Sequence, residues 1–280
     1  LSTGPYTQKF EEKFAKRIGS KYALFVNNCT TALEISIKNF NLKNDDEVIV
    51  PVQTFIASGM AVTLNGGKVV FGEIDPETFN LSLDEVKKRK TDKTRGVVLV
   101  HFSGNVSPDT LQIKKYCDEN NLFLIEDCAH SPGASIEGKN TGTIGDIGCF
   151  SFFSTKVITT GEGGMLTTDS EEIYKFSKAL RERGRSLTNP LEIYDYGWRS
   201  GRVPEISALL GLSQLSHLDE WLLHRNKIAE IYDNILFDSD DLRTINTPSN
   251  VFNAYWKHIT IISNQNIDRI NVGYKFPGNY

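Results

Sequence analysis

Lys156 lies in SFFSTKVITTGEGG, with aromatic residues before it and Gly161, Gly163 and Gly164 after it. Most lysines are solvated surface charges. In apolar, glycine-rich surroundings, however, an ammonium loses hydration, its pKa falls, and the amine becomes a nucleophile for carbonyl chemistry. Ser151, earlier in the same stretch, can donate to a phosphate. Asp127 closes the apolar run LFLIED, where an unpaired carboxylate is costly, so it reads as the partner of a cation, a metal or a protonated ring nitrogen. His130 follows on the same loop. An Asp capping the next turn beside a surface His accounts for the same residues without function. A third stretch, NNCTTALE after YALFV, opens a helix at Thr30 and Thr31, whose free N–H groups and positive dipole end suit a phosphate. Ordinary N-capping by Thr30 fits the same pattern. Phe55, in PVQTFIASGMAV, is either a core aromatic at a helix start or a flat platform for a ring.

Such residues act together only if the chain gathers the ends of several strands. Short apolar runs at 22–27, 47–51, 68–74, 96–102, 122–127, 148–154 and 164–168 predict strands. Helix-period segments separate most of them: YTQKFEEKFAKRIG, TTALEISIKNF, TFIASGMAVTLNG, SLDEVKKRK and SPDTLQIKKYCDENN. Several runs are apolar on both faces, as in a largely parallel sheet covered by helices, and the alternation predicts a doubly wound α/β domain. In such a sheet ligands bind at the carboxyl ends of the strands, where all four stretches fall. After Asp169 the pattern turns helical, with EEIYKFSKALRERG and then a long helical stretch over 204–236 bent near Ser216. HITIIS, 258–263, predicts a further strand. Residues 1–220 read as a large domain and 221–280 as the start of a smaller one.

The 280 residues carry 31 Lys plus Arg against 35 Asp plus Glu, a net charge of −4 without a basic stripe, which argues against nucleic acid as a partner. No apolar run reaches the ~18 residues of a membrane span. The chain opens with Leu1 rather than Met, no signal-peptide core follows, and both termini read as points within a longer chain. The four cysteines, Cys29, Cys117, Cys128 and Cys149, show no C-x-x-C spacing, so they predict buried thiols in a reducing compartment, the cytoplasm, rather than a metal site.

The stretches FEEKFAKRIGSKYALFVNNCTTAL, EVIVPVQTFIASGMAV, GKVVFGEIDPETFNL, LIEDCAHSPGA, GTIGDIGCFSFFSTKVITTGEGGMLTT and RVPEISALLGLSQL, in this order, resemble the DegT/DnrJ/EryC1/StrS sugar aminotransferases over nearly the whole chain. The resemblance implies a fold-type-I enzyme dependent on pyridoxal 5′-phosphate (PLP). It implies that Lys156 holds PLP covalently and later carries the proton between cofactor and substrate carbons, and that Asp127 pairs with the pyridine nitrogen. Phe55 would stack on the ring and His130 would lie near its phenolic oxygen. Thr30, Thr31 and Ser151 would hold the phosphate. Two positions differ from the family pattern: Cys29 stands where glycine is usual before the first phosphate threonine, and Ser200 replaces an asparagine that reaches the neighbouring subunit's phosphate. The activity implied is ping-pong transfer of an amino group from an amino acid, glutamate by resemblance, to a nucleotide-linked keto-sugar, within a homodimer. The competing readings are a PLP- or PMP-dependent sugar dehydratase of the same fold, whose members carry histidine in place of the lysine, and a catalytically silent PLP-binding paralogue.

Overall fold

The computed structural model describes residues 2–187 and 194–263; residues 264–280 of the expected C-terminal domain lie outside it. Helix α1 (Pro5–Ile18) ends at Gly19, whose φ of 91° supplies the left-handed cap, and leads into β1 (Tyr22–Val26). There follow α2 (Cys29–Lys38), β2 (Glu47–Pro51), α3 (Ala57–Leu64), β3 (Lys68–Gly72), α4 (Leu83–Arg89) and β4 (Thr94–Val100). Beyond a short 3-10 turn come α5 (Thr110–Glu119), β5 (Phe123–Asp127), the small strands β6 (Ser135–Ile136) and β7 (Lys139–Asn140), β8 (Ile147–Ser151) and β9 (Gly164–Thr168). Helices α6 (Glu171–Arg181), α7 (Glu205–Leu215) and α8 (Leu218–Leu236) precede β10 (Leu242–Thr244), β11 (Val251–Phe252) and β12 (Thr260–Ile262).

Seven strands form one sheet in the order β1-β9-β8-β5-β4-β2-β3. The pairs from β8 through β5, β4 and β2 to β3 are parallel, and β9 runs antiparallel to both β1 and β8. This is the expected largely parallel, helix-covered sheet, and every strand anticipated in it is present. Some are shorter than expected. The run at 96–102 stops pairing at Val100, because His101 leaves extended geometry and opens the 3-10 turn. The run at 148–154 leaves the ladder at Ser151, one residue before Phe152 N–H takes the carbonyl of Gly163 at 2.9 Å.

Side-chain alternation places one apolar layer on each face. Phe25, Phe150 and Met165 point to the face covered by α1, where Phe10 meets Phe25 and Phe14 meets Phe150 edge-on. Their sequence neighbours Leu24, Cys149 and Leu166 point to the face covered by α2 and α3. Farther along the sheet, Val97, Leu99 and Leu124 pack under α4 and α5. The stretch 204–236 is two helices meeting at Ser216 and His217, the site of the expected bend. After α8 the chain returns to the large sheet's loops: β11 pairs with β6. Ala254 N–H donates to the carbonyl of Gly104 at 2.9 Å, and Lys257 N–H to that of Ser103 at 3.0 Å.

Candidate active site

A cavity of about 340 Å³ opens at the carboxyl edge of the sheet, and Thr30, Phe55, Asp127, His130, Ser151 and Lys156 all line it. The sequence could place each of these at a strand end; the strand order β8-β5-β4-β2 is what makes those ends neighbours.

Asp127, the last residue of β5, is 4% exposed. Its Oδ2 accepts from Ser58 Oγ at 2.8 Å and its Oδ1 from Ala129 N–H at 3.1 Å. Asp127 thus does cap the next turn, but the cap uses one oxygen of a carboxylate whose residue also lines the cavity. Burial pushes this carboxyl above its ordinary value, against the hydrogen bonds from Ser58 and Ala129 and the charge of Lys156. A buried carboxylate so placed suits a cationic partner.

Lys156 follows β8 on the loop closed by Gly161 and Gly163. Burial lowers its pKa, as the apolar flanks predicted, and Lys257 adds repulsion, while Cys29 and Asp127 favour the charge. His130 is pushed down to about 3, chiefly by burial and then by the charges of Lys156 and Lys257. It is therefore neutral. Its Nδ1 accepts from Ser103 N–H at 3.3 Å, which leaves Nε2–H as the donor, suited to a phenolate oxygen.

At the start of α2, the helix opens at Cys29 rather than at Thr30, and its cap is Asn28, whose side chain accepts from Thr31 N–H at 2.8 Å. Thr31 is buried and does not line the cavity, so of the three hydroxyls expected at a phosphate only Thr30 and Ser151 are at its wall, together with Thr54. The sequence stretch contained Asn28, and an Asn three residues before a helical N–H is a strong capping signal. Ser200 is exposed and pairs with Glu182 in an isolated β-bridge rather than lining the cavity. The four cysteines are free and buried, as expected.

Several residues at the site were not singled out from the sequence. Ser58 and Thr54, whose hydroxyls lie 2.7 Å apart, extend the hydrogen-bond chain from Asp127 across the start of α3. Their four-residue spacing beside Phe55 is the signal that could have found them. Trp256 stacks on His130 from a distant part of the chain, and no local pattern marks it.

A flat aromatic (Phe55), a buried carboxylate, a lysine with depressed pKa and a capped helix start around one cavity define the class: a fold-type-I transferase that works with PLP. The residues fit that cofactor, because a buried carboxylate, a lysine and the hydroxyl residues Thr30 and Ser151 line one cavity. The chain belongs to the DegT/DnrJ/EryC1/StrS aminotransferase family, whose sequence profile matches residues 1–273. It is 35% identical over 259 residues to GDP-perosamine synthase of Vibrio cholerae, covering 91% of this chain and 69% of that protein. An aminotransferase structure from Psychrobacter cryohalolentis superposes with a TM-score of 0.90 at 31% identity, over 96% of this chain and 72% of that one. GDP-4-keto-6-deoxymannose-3-dehydratase, solved with a trapped PLP-glutamate geminal diamine, also superposes at 0.90, with 28% identity over 98% of this chain and 76% of that one.

Proposed function

We propose that this chain transfers an amino group from an amino acid, glutamate or a close relative, to a keto-sugar carried on a nucleotide, as a step in deoxyamino-sugar synthesis. The observation that carries this reading is that Lys156 and Asp127 line the same cavity. A sugar-nucleotide acceptor is supported by the likeness to GDP-perosamine synthase.

In this reading Lys156 binds PLP through its amine, and Asp127 keeps the ring nitrogen protonated. PLP, when bound, supplies an electron sink for the carbon that loses its proton. Phe55 covers the ring, and His130 Nε2–H donates to the phenolic oxygen. Thr30, Ser151 and the N–H groups opening α2 hold the phosphate; Thr31 serves from behind as part of the capped turn. With its amine free, Lys156 would take the proton from the donor carbon and deliver it to the cofactor carbon that carries the nitrogen, so that one residue could serve both half-reactions.

The same reading makes the protein a homodimer. Phe55, Ile56 and Met60 at the start of α3 and Ile206, Leu209 and Leu210 on α7 leave apolar side chains exposed, which supports a second copy as their cover. Ser200 would reach the partner's phosphate. A cytoplasmic setting is supported by the free, buried cysteines; among the described residues no helix is long and apolar enough to cross a membrane.

The test is a panel of nucleotide-linked keto-sugars mixed with the PMP-loaded protein, following loss of PMP absorbance and the sugar product by mass. Appearance of an amino-sugar with return of PLP supports the proposal. The second reading, a dehydratase, is favoured by the equally good superposition on GDP-4-keto-6-deoxymannose-3-dehydratase. Loss of water from the sugar without nitrogen transfer would establish it and overturn amino transfer. PLP binding with neither outcome across the panel would instead favour a silent paralogue.

A further inference from the structure

Trp256 lies beyond β11, in a segment pinned to the large domain. Besides the Ala254 and Lys257 bonds, Val106 N–H donates to Asn253 Oδ1 at 2.9 Å. Gly104, at φ +89°, leaves room for this approach, since a Cβ there would sit 2.7 Å from Trp256 N. The indole N–H donates to the carbonyl of Thr155 at 2.7 Å, which ties the ring to the residue before Lys156. One ring then touches both functional side chains. It stacks on His130 with centroids 4.1 Å apart and planes 12° apart, and Lys156 Nζ lies 4.2 Å from its centroid.

We propose that Trp256 is a positioning residue for Lys156: its ring face is where the lysine ammonium rests whenever the amine is free of covalent attachment, and this contact sets the pH at which the amine becomes nucleophilic. The inference rests on Lys156 being the cofactor lysine. The ring's negative face attracts the ammonium and not the neutral amine. It therefore opposes burial, which favours the neutral form. The other groups facing Lys156 are Asp127 of β5, Cys29 of α2, His130 and Glu162, together with Lys257, whose own Nζ lies 4.5 Å from the same ring. Of these, the indole alone combines a contact to the amine with a hydrogen bond to the adjoining backbone carbonyl. It can thus hold the side chain in one place without consuming its donors in a salt bridge.

The test separates this electrostatic role from packing. The PLP-free protein is prepared with an isotope label at lysine Cε and with its tryptophans replaced by analogues carrying increasing numbers of fluorines, which drain the ring face with little change of shape. The Lys156 resonance is identified by its loss in Lys156→Met. Its titration midpoint is expected to move to lower pH with each step, by about one pH unit across the series. In Trp256→Phe the dependence on fluorination is expected to vanish, since only Trp198 and Trp221 remain. A midpoint unmoved by fluorination, or moved equally in Trp256→Phe, overturns the proposal. Whether Lys156→Met also loses the visible absorbance of added PLP reports on the cofactor lysine itself, so failure of that reading is distinguished from failure of this one.

Discussion

At the scale of single residues, the proposed function divides the site between a group that would form bonds and a group that would hold charge. Lys156 makes no side-chain salt bridge among the described residues, and its amine lines the cavity. Lys156→Ala should therefore leave the fold intact, with a stability change below about 1 kcal/mol, yet abolish turnover and the visible absorbance of bound PLP. Added PLP should still bind without covalent attachment, through Thr30 and Ser151. Spectra and thermal melts of the variant check both halves, and near wild-type transaminase activity would refute the assignment. Asp127→Asn tests the charge. The amide can still accept from Ser58 or Ala129 but cannot keep the ring nitrogen protonated, so single-turnover loss of the donor proton should slow by about two to four orders of magnitude. Cofactor retention should weaken by about 2–3 kcal/mol, the value of a charge-assisted bond. Unchanged single-turnover rates would leave Asp127 as a structural cap only.

At the scale of elements, the strand carrying Asp127 is fixed by a buried pair next to it. Glu126 Oε1 accepts from Ile144 and Gly145 N–H at 2.8 and 2.7 Å, and its Oε2 lies 3.0 Å from His101 Nε2. Nδ1 of His101 accepts from Ser107 N–H at 3.3 Å, so the proton sits on Nε2 and points at Glu126. In the cluster His101, Glu126 and Cys128, these bonds already engage the imidazole and the carboxylate. Glu126→Gln would set an amide N–H against that imidazole N–H, because the amide oxygen is needed by Ile144 and Gly145. One buried donor is then left unpaired, at a cost of about 1–3 kcal/mol in urea unfolding. The pH dependence follows from the same geometry. Burial alone would raise the Glu126 carboxyl, but His101 and the N–H of Gly145 outweigh it and hold the group below its ordinary value of 4.5. A carboxyl depressed in the folded state stabilises fully above its unfolded pKa, and that stability is lost as pH falls through the folded one. Unfolding midpoints should therefore decline below about pH 4.5 in the wild type and flatten in Glu126→Gln. Equal slopes in the two proteins would assign the acid lability elsewhere.

At the scale of the whole molecule, the prediction concerns the second copy. If the apolar side chains on α3 and α7 are covered by a partner, sedimentation should give a dimer at micromolar concentration. Ser200→Ala should then raise the PLP dissociation constant by about 1 kcal/mol, the worth of a neutral hydroxyl bond, without changing the sugar preference. A fully active monomer would remove both the dimer and this role for Ser200. The segment from β11 to Trp256 belongs to this scale as well, since it joins the residues after α8 to the loop behind His130 and makes the site depend on chain far from Lys156.

The sheet, its parallel character and the strand-end positions of Lys156, Asp127, Phe55 and Thr30 were legible in the sequence, because apolar runs on both faces and helix-period intervals are local patterns fixed by backbone periodicity. The depressed Lys156 pKa was legible for the same reason: its aromatic and glycine flanks travel with it. Local pattern could not decide which of two nearby polar residues caps α2, since Asn28 and Thr30 both favour that role and only the backbone angles at Asn28 resolve it. Nor could it show that Thr31 turns away from the cavity or that Ser58 reaches Asp127, because both depend on the packing of α2 and α3 against β5. Trp256 lies furthest from what sequence determines. Its meeting with Lys156, a hundred residues away in the chain, is set by hydrogen bonds between Gly104, Ser103 and the segment after β11, and contacts that join distant backbone exist only once the tertiary fold has closed.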